Sequence, residues 1–107
     1  MNATYGFHAT MTAHHGKGDE LIDVLLSAAN DTGPATSKNC VLFLVGRSAS
    51  NKDIVHVTEG WTTKEAHAEM FASHAAKAHL ARVLPLVTEA AQYQDEIPVG
   101  GRCLGLR

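Results

Sequence analysis

From Thr4 to Ala13 apolar and polar positions alternate. Tyr5, Phe7, Ala9, Met11 and Ala13 fall on one side, and Thr4, Gly6, His8, Thr10 and Thr12 on the other. A period of two marks a β-strand with one face turned to a core. After the turn His14-His15-Gly16-Lys17-Gly18 the period lengthens. From Asp19 onward Leu21, Val24, Leu25 and Ala28 recur at helical spacing, and Asp19 and Glu20 sit where the positive end of a helix dipole favours acids. Asn30 to Asn39 holds Gly33, Pro34 and small polar residues, which predicts a loop. Cys40 to Val45 is an unbroken apolar run of strand length, the pattern of a strand covered on both faces. Ser48 to Asp53 makes a hairpin connection, and Ile54 to Trp61 alternates again. Val55, Val57, Glu59 and Trp61 share one face; Ile54, His56, Thr58 and Gly60 share the other.

Thr62-x-x-Glu65 has the form of a capping box, so a helix is predicted from Thr63. Ser73 is placed to cap a second helical segment. Leu80, Val83, Leu84 and Val87 form its apolar stripe, and Pro85 ends or kinks it about one turn early. A last strand is expected either from Tyr93 to Val99 or in the tail from Arg102 to Leu106. The order strand, helix, strand, strand, helix, strand is that of the α+β ferredoxin-like βαββαβ fold. It predicts one domain over residues 1–107, an antiparallel sheet with its first and third strands adjacent at the centre, and helices on one face. The other face needs cover too, and pairing with a second copy is the simplest cover.

Composition narrows the function classes. With 107 residues and 45% hydrophobic positions the chain is a globular domain with a modest core of its own. A net charge of −2 without a basic cluster gives nucleic-acid binding no electrostatic footing. No apolar run approaches the ~20 residues that cross a bilayer, and no secretory leader is visible, so no membrane role is expected. Cys40 and Cys103 lack metal or redox spacing and read as reduced thiols of a cytoplasmic protein.

The chemistry concentrates after the third strand. Trp61, the sole tryptophan, closes a strand-to-helix corner. It is either a core residue there or the wall of a pocket for a flat ligand. Glu59 lies on the same face. It is either a structural acceptor or a general base with a pKa raised by apolar neighbours. On a continuous helix His67, Met70, Phe71, His74 and Ala78 would share one stripe. An imidazole among Met and Phe can be neutral near pH 7 and exchange a proton. Metal chemistry is poorly served. His67 and His74 would lie about 10 Å apart along the axis, too far to share an ion, and His8 with His56 lack a third ligand. No dinucleotide or phosphate loop is present.

Glu59-x-Trp61-x-Thr63-x-Glu65-Ala66 resembles the signature of the antibiotic biosynthesis monooxygenase family, a branch of the dimeric α+β barrel superfamily. Phe71-Ala-Ser-His74 is similar to a later histidine-containing segment of that family. The resemblance implies a homodimer in which two ferredoxin-like sheets pair into a barrel. It also implies a pocket between sheet and helices, in which an aromatic, phenolic or quinol-type molecule is oxidised by molecular oxygen without flavin, metal or haem. In that reading Trp61 and His74 are the catalytic candidates, and Glu59, His67, Met70 and Phe71 line the pocket. Many members carry a histidine nine residues after the tryptophan, where this chain has Met70. Two other readings stand beside it. One is a non-catalytic dimeric binding domain. The other is a haem-binding or haem-degrading relative, suggested because His79 after Lys77-Ala78 is similar to the axial ligand of those proteins.

Overall fold

Strand β1 (Tyr5–Thr12) runs through the middle of the molecule, and every other element is arranged around it. The computed structural model describes residues 3–30 and 33–102. After β1 come helix α1 (Gly18–Leu26), two single 3₁₀ turns (Ser27–Ala29 and Pro34–Thr36), β2 (Cys40–Arg47) and β3 (Ile54–Trp61). Helices α2 (Lys64–Phe71) and α3 (His74–Val83), a 3₁₀ turn (Leu84–Leu86) and β4 (Gln92–Glu96) complete the order. The four strands form one antiparallel sheet in the order β2-β3-β1-β4. This is the expected ferredoxin-like α+β fold, with β1 and β3 side by side and Tyr5 opposite Trp61. Of the two places considered for the last strand, the first is correct, though the strand is shorter than 93–99. The second lies almost wholly outside the described residues, as does Cys103.

The alternation in β1 and β3 becomes two sheet faces. Phe7, Ala9, Val55, Val57 and Trp61 are buried beneath the helices with Leu21, Val24 and Leu25 of α1 and Val83 of α3. Burying each of the Val, Leu and Phe side chains among them stabilises the fold by about 1.5–3 kcal/mol. On the opposite face His8 shares a hydrogen bond with Thr58 (2.9 Å) and faces Glu96 (3.2 Å), while Thr10 bonds His56 (3.1 Å). Leu44 is exposed on this face, and no described helix covers it. The expectation that β2 is covered on both faces is therefore corrected for the single chain. A register irregularity between Cys40 and Leu42 also turns Val41 outward.

Two loops are tied at the sheet end remote from Trp61. Asp53 accepts from the backbone N–H of Gly16 (3.1 Å) and Gly18 (2.9 Å), which anchors the entrance to α1 on the β2–β3 hairpin. Gly16 has φ 79°, a left-handed conformation that glycine adopts without strain.

The α2–α3 region departs from the sequence reading in two ways. The capping residue of α2 is Thr63, whose Oγ1 accepts from Ala66 N (3.0 Å). Thr62 instead donates to Asn39 Oδ1 (3.0 Å), so the cap moves by one residue and, with Ala66 at the third helical position, the reciprocal half of the expected box is lost. Ser73 caps α3 as expected, accepting from Ala76 N (3.2 Å). Because Ala72 and Ser73 interrupt the helix, residues 67–78 do not form one stripe. Pro85 ends α3 in a 3₁₀ turn, which leaves Leu84 exposed and buries Leu86 in its place.

Candidate functional site

Glu59 and Trp61 project together from the end of β3 because residues two apart on a strand share a face. Trp61 is wholly buried, and its Nε1–H donates to Glu59 Oε1 at 2.8 Å. The β1 neighbour opposite Glu59 is Phe7. Helix α2 then brings His67 down onto this corner. The His67 ring lies 5.3 Å from that of Trp61, 5.1 Å from Phe7, 5.7 Å from Tyr5 and 5.8 Å from Phe71. From the other side β4 supplies Tyr93, 5.4 Å from Phe7 and edge-on to it. A tilted or edge-on arrangement is the favoured geometry for such ring pairs.

All of these groups except Tyr5 line a cavity of about 90 Å³ between the sheet and the helices. One end is aromatic and carries Glu59, Trp61, His67 and Tyr93. The other is aliphatic, with Met11 from β1, Leu25 and Ala28 near the end of α1, and Leu80 and Val83 from α3. Phe71 and Tyr93 are about half exposed, at 49% and 55%, so the cavity is open to solvent on that side.

The expected pocket-lining residues Glu59, His67, Met70 and Phe71 all reach this cavity, as does Trp61. His74 does not. It occupies the first turn of α3, exposed, because the break at Ala72–Ser73 rotates it away from the face that His67 uses. Sequence reasoning missed Phe7 and Tyr93 as site residues. Phe7 was legible as a core-facing position on the strand next to the one that carries Glu59, but Tyr93 depends on the β4 register, which pairs it with Ala9.

Burial dominates the electrostatics. It pushes the Glu59 carboxyl up to about 7, against the lowering effect of the Trp61 N–H. The same burial lowers His67, with Asp95 acting in the opposite sense, so its imidazole is neutral at pH 7. Tyr93 is raised, first by burial and then by the nearby Glu59 charge. Cys40, close enough to feel Glu59, is raised to about 11 mainly by burial and is an inert thiol at neutral pH. The cavity thus holds one carboxyl poised near neutrality and a neutral imidazole, a donor set suited to proton exchange with an uncharged, flat ligand.

Among the described residues no cluster of three or more His, Cys, Asp or Glu is placed to hold a metal ion. His79 does line the cavity, and burial lowers its pKa, so an imidazole nitrogen is available there. A porphyrin, many times the area of one benzene ring, does not fit the space beside it. Among the described residues no helix is long and apolar enough to cross a membrane.

The sequence profile of the family described as antibiotic biosynthesis monooxygenase matches residues 4–82. A crystal structure from Chloroflexus aurantiacus J-10-fl, described as a candidate antibiotic biosynthesis monooxygenase, superposes with a TM-score of 0.81 at 26% identity, covering 96% of this chain and 100% of that one. Two others so described, from Caulobacter crescentus CB15 and Deinococcus radiodurans, share the fold. The first has a TM-score of 0.80 at 21% identity, covering 92% of each chain. The second has a TM-score of 0.74 at 20% identity, covering 96% of this chain and 98% of that one. No curated protein matches the chain significantly.

Proposed function

Because the chain belongs to the antibiotic biosynthesis monooxygenase family, we propose that it is a cofactor-independent monooxygenase that oxidises an aromatic, phenolic or quinol-type small molecule with molecular oxygen. The observation that carries this reading is Glu59, a carboxyl with a pKa of about 7 inside an aromatic cavity.

The first step is removal of the phenolic proton by Glu59. A phenol of pKa about 10 gives its proton to an ordinary glutamate at a cost of about 8 kcal/mol. With Glu59 near 7 that cost falls to about 4 kcal/mol. The phenolate then transfers an electron to oxygen, and the two radicals combine at the ring carbon para to the oxygen. Glu59 returns its proton to the resulting peroxide. Loss of the ring hydrogen and the distal oxygen as water leaves a carbonyl at that carbon. One oxygen atom enters the product and the other leaves as water, with all four electrons drawn from the substrate. The neutral imidazole of His67 is the group placed to donate to the peroxide. Trp61 acts as a positioning residue, since its N–H is engaged in holding Glu59. His74, exposed and outside the cavity, has no part in this scheme.

The outer sheet face supports a second element of the proposal, that two copies pair face to face as a homodimer. Leu44 at 40% exposure, and the His8–Thr58 and Thr10–His56 pairs, would be covered in such a pair.

Oxygen consumption with a panel of phenols that carry hydrogen at the para carbon is the test. The expected result is stoichiometric quinone formation that is lost in Glu59→Gln. Undiminished turnover in Glu59→Gln refutes the base assignment. Ligand binding without any oxygen uptake would favour the non-catalytic binding domain. Sedimentation as a monomer at micromolar concentration would refute the pairing.

A further inference from the structure

A second chamber of about 350 Å³ lies beyond the first. It is bounded by the 3₁₀ turn after Gly33, the chain leading into β2, and the junction between α2 and α3. It is more open than the first and its lining is mixed, with Ser37, Asn39, Glu69 and Ser73 beside Pro34, Ala66, Met70 and Ala75. Among the described residues only Pro34 and Met70 line both chambers. They form the wall between them.

The two halves of this wall differ in stiffness. Pro34 is fixed by its ring at the start of the Pro34–Thr36 turn. Met70 is half-buried on α2, and a methionine has an unbranched side chain with three rotatable bonds and adapts its shape readily. The adjustable part of this boundary is therefore the Met70 side chain. An enclosed apolar cavity of about 150 Å³ takes benzene. The inner chamber, at about 90 Å³, is smaller than that, so one six-membered ring enters it with an edge left in the opening at Phe71 and Tyr93, and no enclosed room remains for a second fused ring.

We propose that Met70, facing Pro34, is the partition that confines the inner chamber to a single ring and so selects monocyclic phenols and hydroquinones over fused-ring ones. The outer chamber receives what extends past the partition, namely a polar ring substituent able to hydrogen-bond with Asn39, Glu69 or Ser37. The proposal rests on reading the inner chamber as the substrate site.

The test is calorimetric titration under nitrogen, so that binding is measured without turnover. Hydroquinone and 1,4-dihydroxynaphthalene are titrated against the wild-type protein and against Met70→Ala, Met70→Leu and Pro34→Ala. The wild type is expected to bind hydroquinone at least tenfold more tightly than its two-ring counterpart. Met70→Ala merges the chambers and improves binding of the two-ring ligand at least tenfold, whereas Met70→Leu keeps the wild-type order. Pro34→Ala opens the same wall from the other side and shifts the preference in the same direction, whether or not Met70→Ala folds.

Equal affinity of the wild type for both ligands overturns the proposal. So does an unchanged preference in the folded opening variants, or no binding of either ligand to any protein. Binding in the expected order without oxygen uptake in air removes the oxygenase reading and leaves the partition standing. Oxygen uptake with a ring preference indifferent to both openings does the reverse.

Discussion

Replacing Glu59 by Gln isolates the most consequential charge in the molecule. Gln keeps the size of the side chain and an oxygen to accept from Trp61 Nε1, and it removes the titration. In the folded protein the Glu59 pKa rises from 4.5 to about 7. At 1.36 kcal/mol per pH unit the ionised form is disfavoured by about 3 kcal/mol relative to the unfolded chain. Below about pH 4.5 the carboxyl is protonated in both states and contributes nothing. Between 4.5 and 7 the unfolded chain ionises first, so the wild type loses stability as pH rises. Above 7 both states are ionised and the loss is complete.

Urea unfolding of both proteins from pH 4 to pH 8.5, at one protein concentration, reads this directly. Titrations of His67 and His79 are common to both proteins and cancel in the difference. Glu59→Gln is expected to gain about 3 kcal/mol on the wild type across the interval, a midpoint shift of about 1–3 M urea. Parallel stability profiles would mean that Glu59 is not held in a low-dielectric cavity, and the argument for it as a base would go with them.

Other expectations follow from the same geometry. Trp61→Phe removes the N–H that opposes the rise of the Glu59 pKa, so the pH at which oxygen uptake is half-maximal should move upward; an unchanged limb in a folded variant would show that the 2.8 Å bond does not tune the carboxyl. The same substitution leaves a smaller ring in a fully buried position and should cost about 1–3 kcal/mol in urea unfolding. His74→Ala should retain kcat/KM within about twofold and change stability by under ~0.5 kcal/mol; a hundredfold loss of kcat/KM would restore His74 to the site.

Strands β1 and β3 were legible because one face is buried and the other is not, which writes a period of two into the sequence. The limits of β3, Ile54 and Trp61, coincide with its alternation. The grouping of Glu59 with Trp61 followed from that period alone. The helical half was harder. His67 and His74 are seven residues apart, a spacing that joins them only if the helix is unbroken, and Ser73 spends its side chain on starting a new one. The capping pattern at Thr62 offered two adjacent threonines, and local sequence does not say which one turns toward Asn39. Tyr93 was out of reach for another reason. Its place beside Phe7 depends on a pairing with a strand some eighty positions earlier, and Gln92–Glu96 is exposed on both faces, so it carries no hydrophobic pattern. The raised pKa of Glu59 was one of two readings of a carboxylate beside an indole, and it was decided by its burial in the cavity between sheet and helices.

Helix α2 has one more property. It supplies His67, Met70 and Phe71 to the cavity, yet none of its residues is fully buried, whereas α1 buries Gly18, Leu21, Val24 and Leu25. It is only eight residues long and is joined to α3 through the break at Ala72–Ser73. Lifting it would expose little core and leave the sheet intact, so its opening free energy should lie well below that of global unfolding. Amide hydrogens of α2 are then expected to exchange with solvent deuterium ahead of those of α1, and to slow when a ring occupies the cavity. The roof of the site is thus the segment that can rise and settle at least cost, and the rhythm of that motion, not the chemistry beneath it, would set how fast a bound molecule is released.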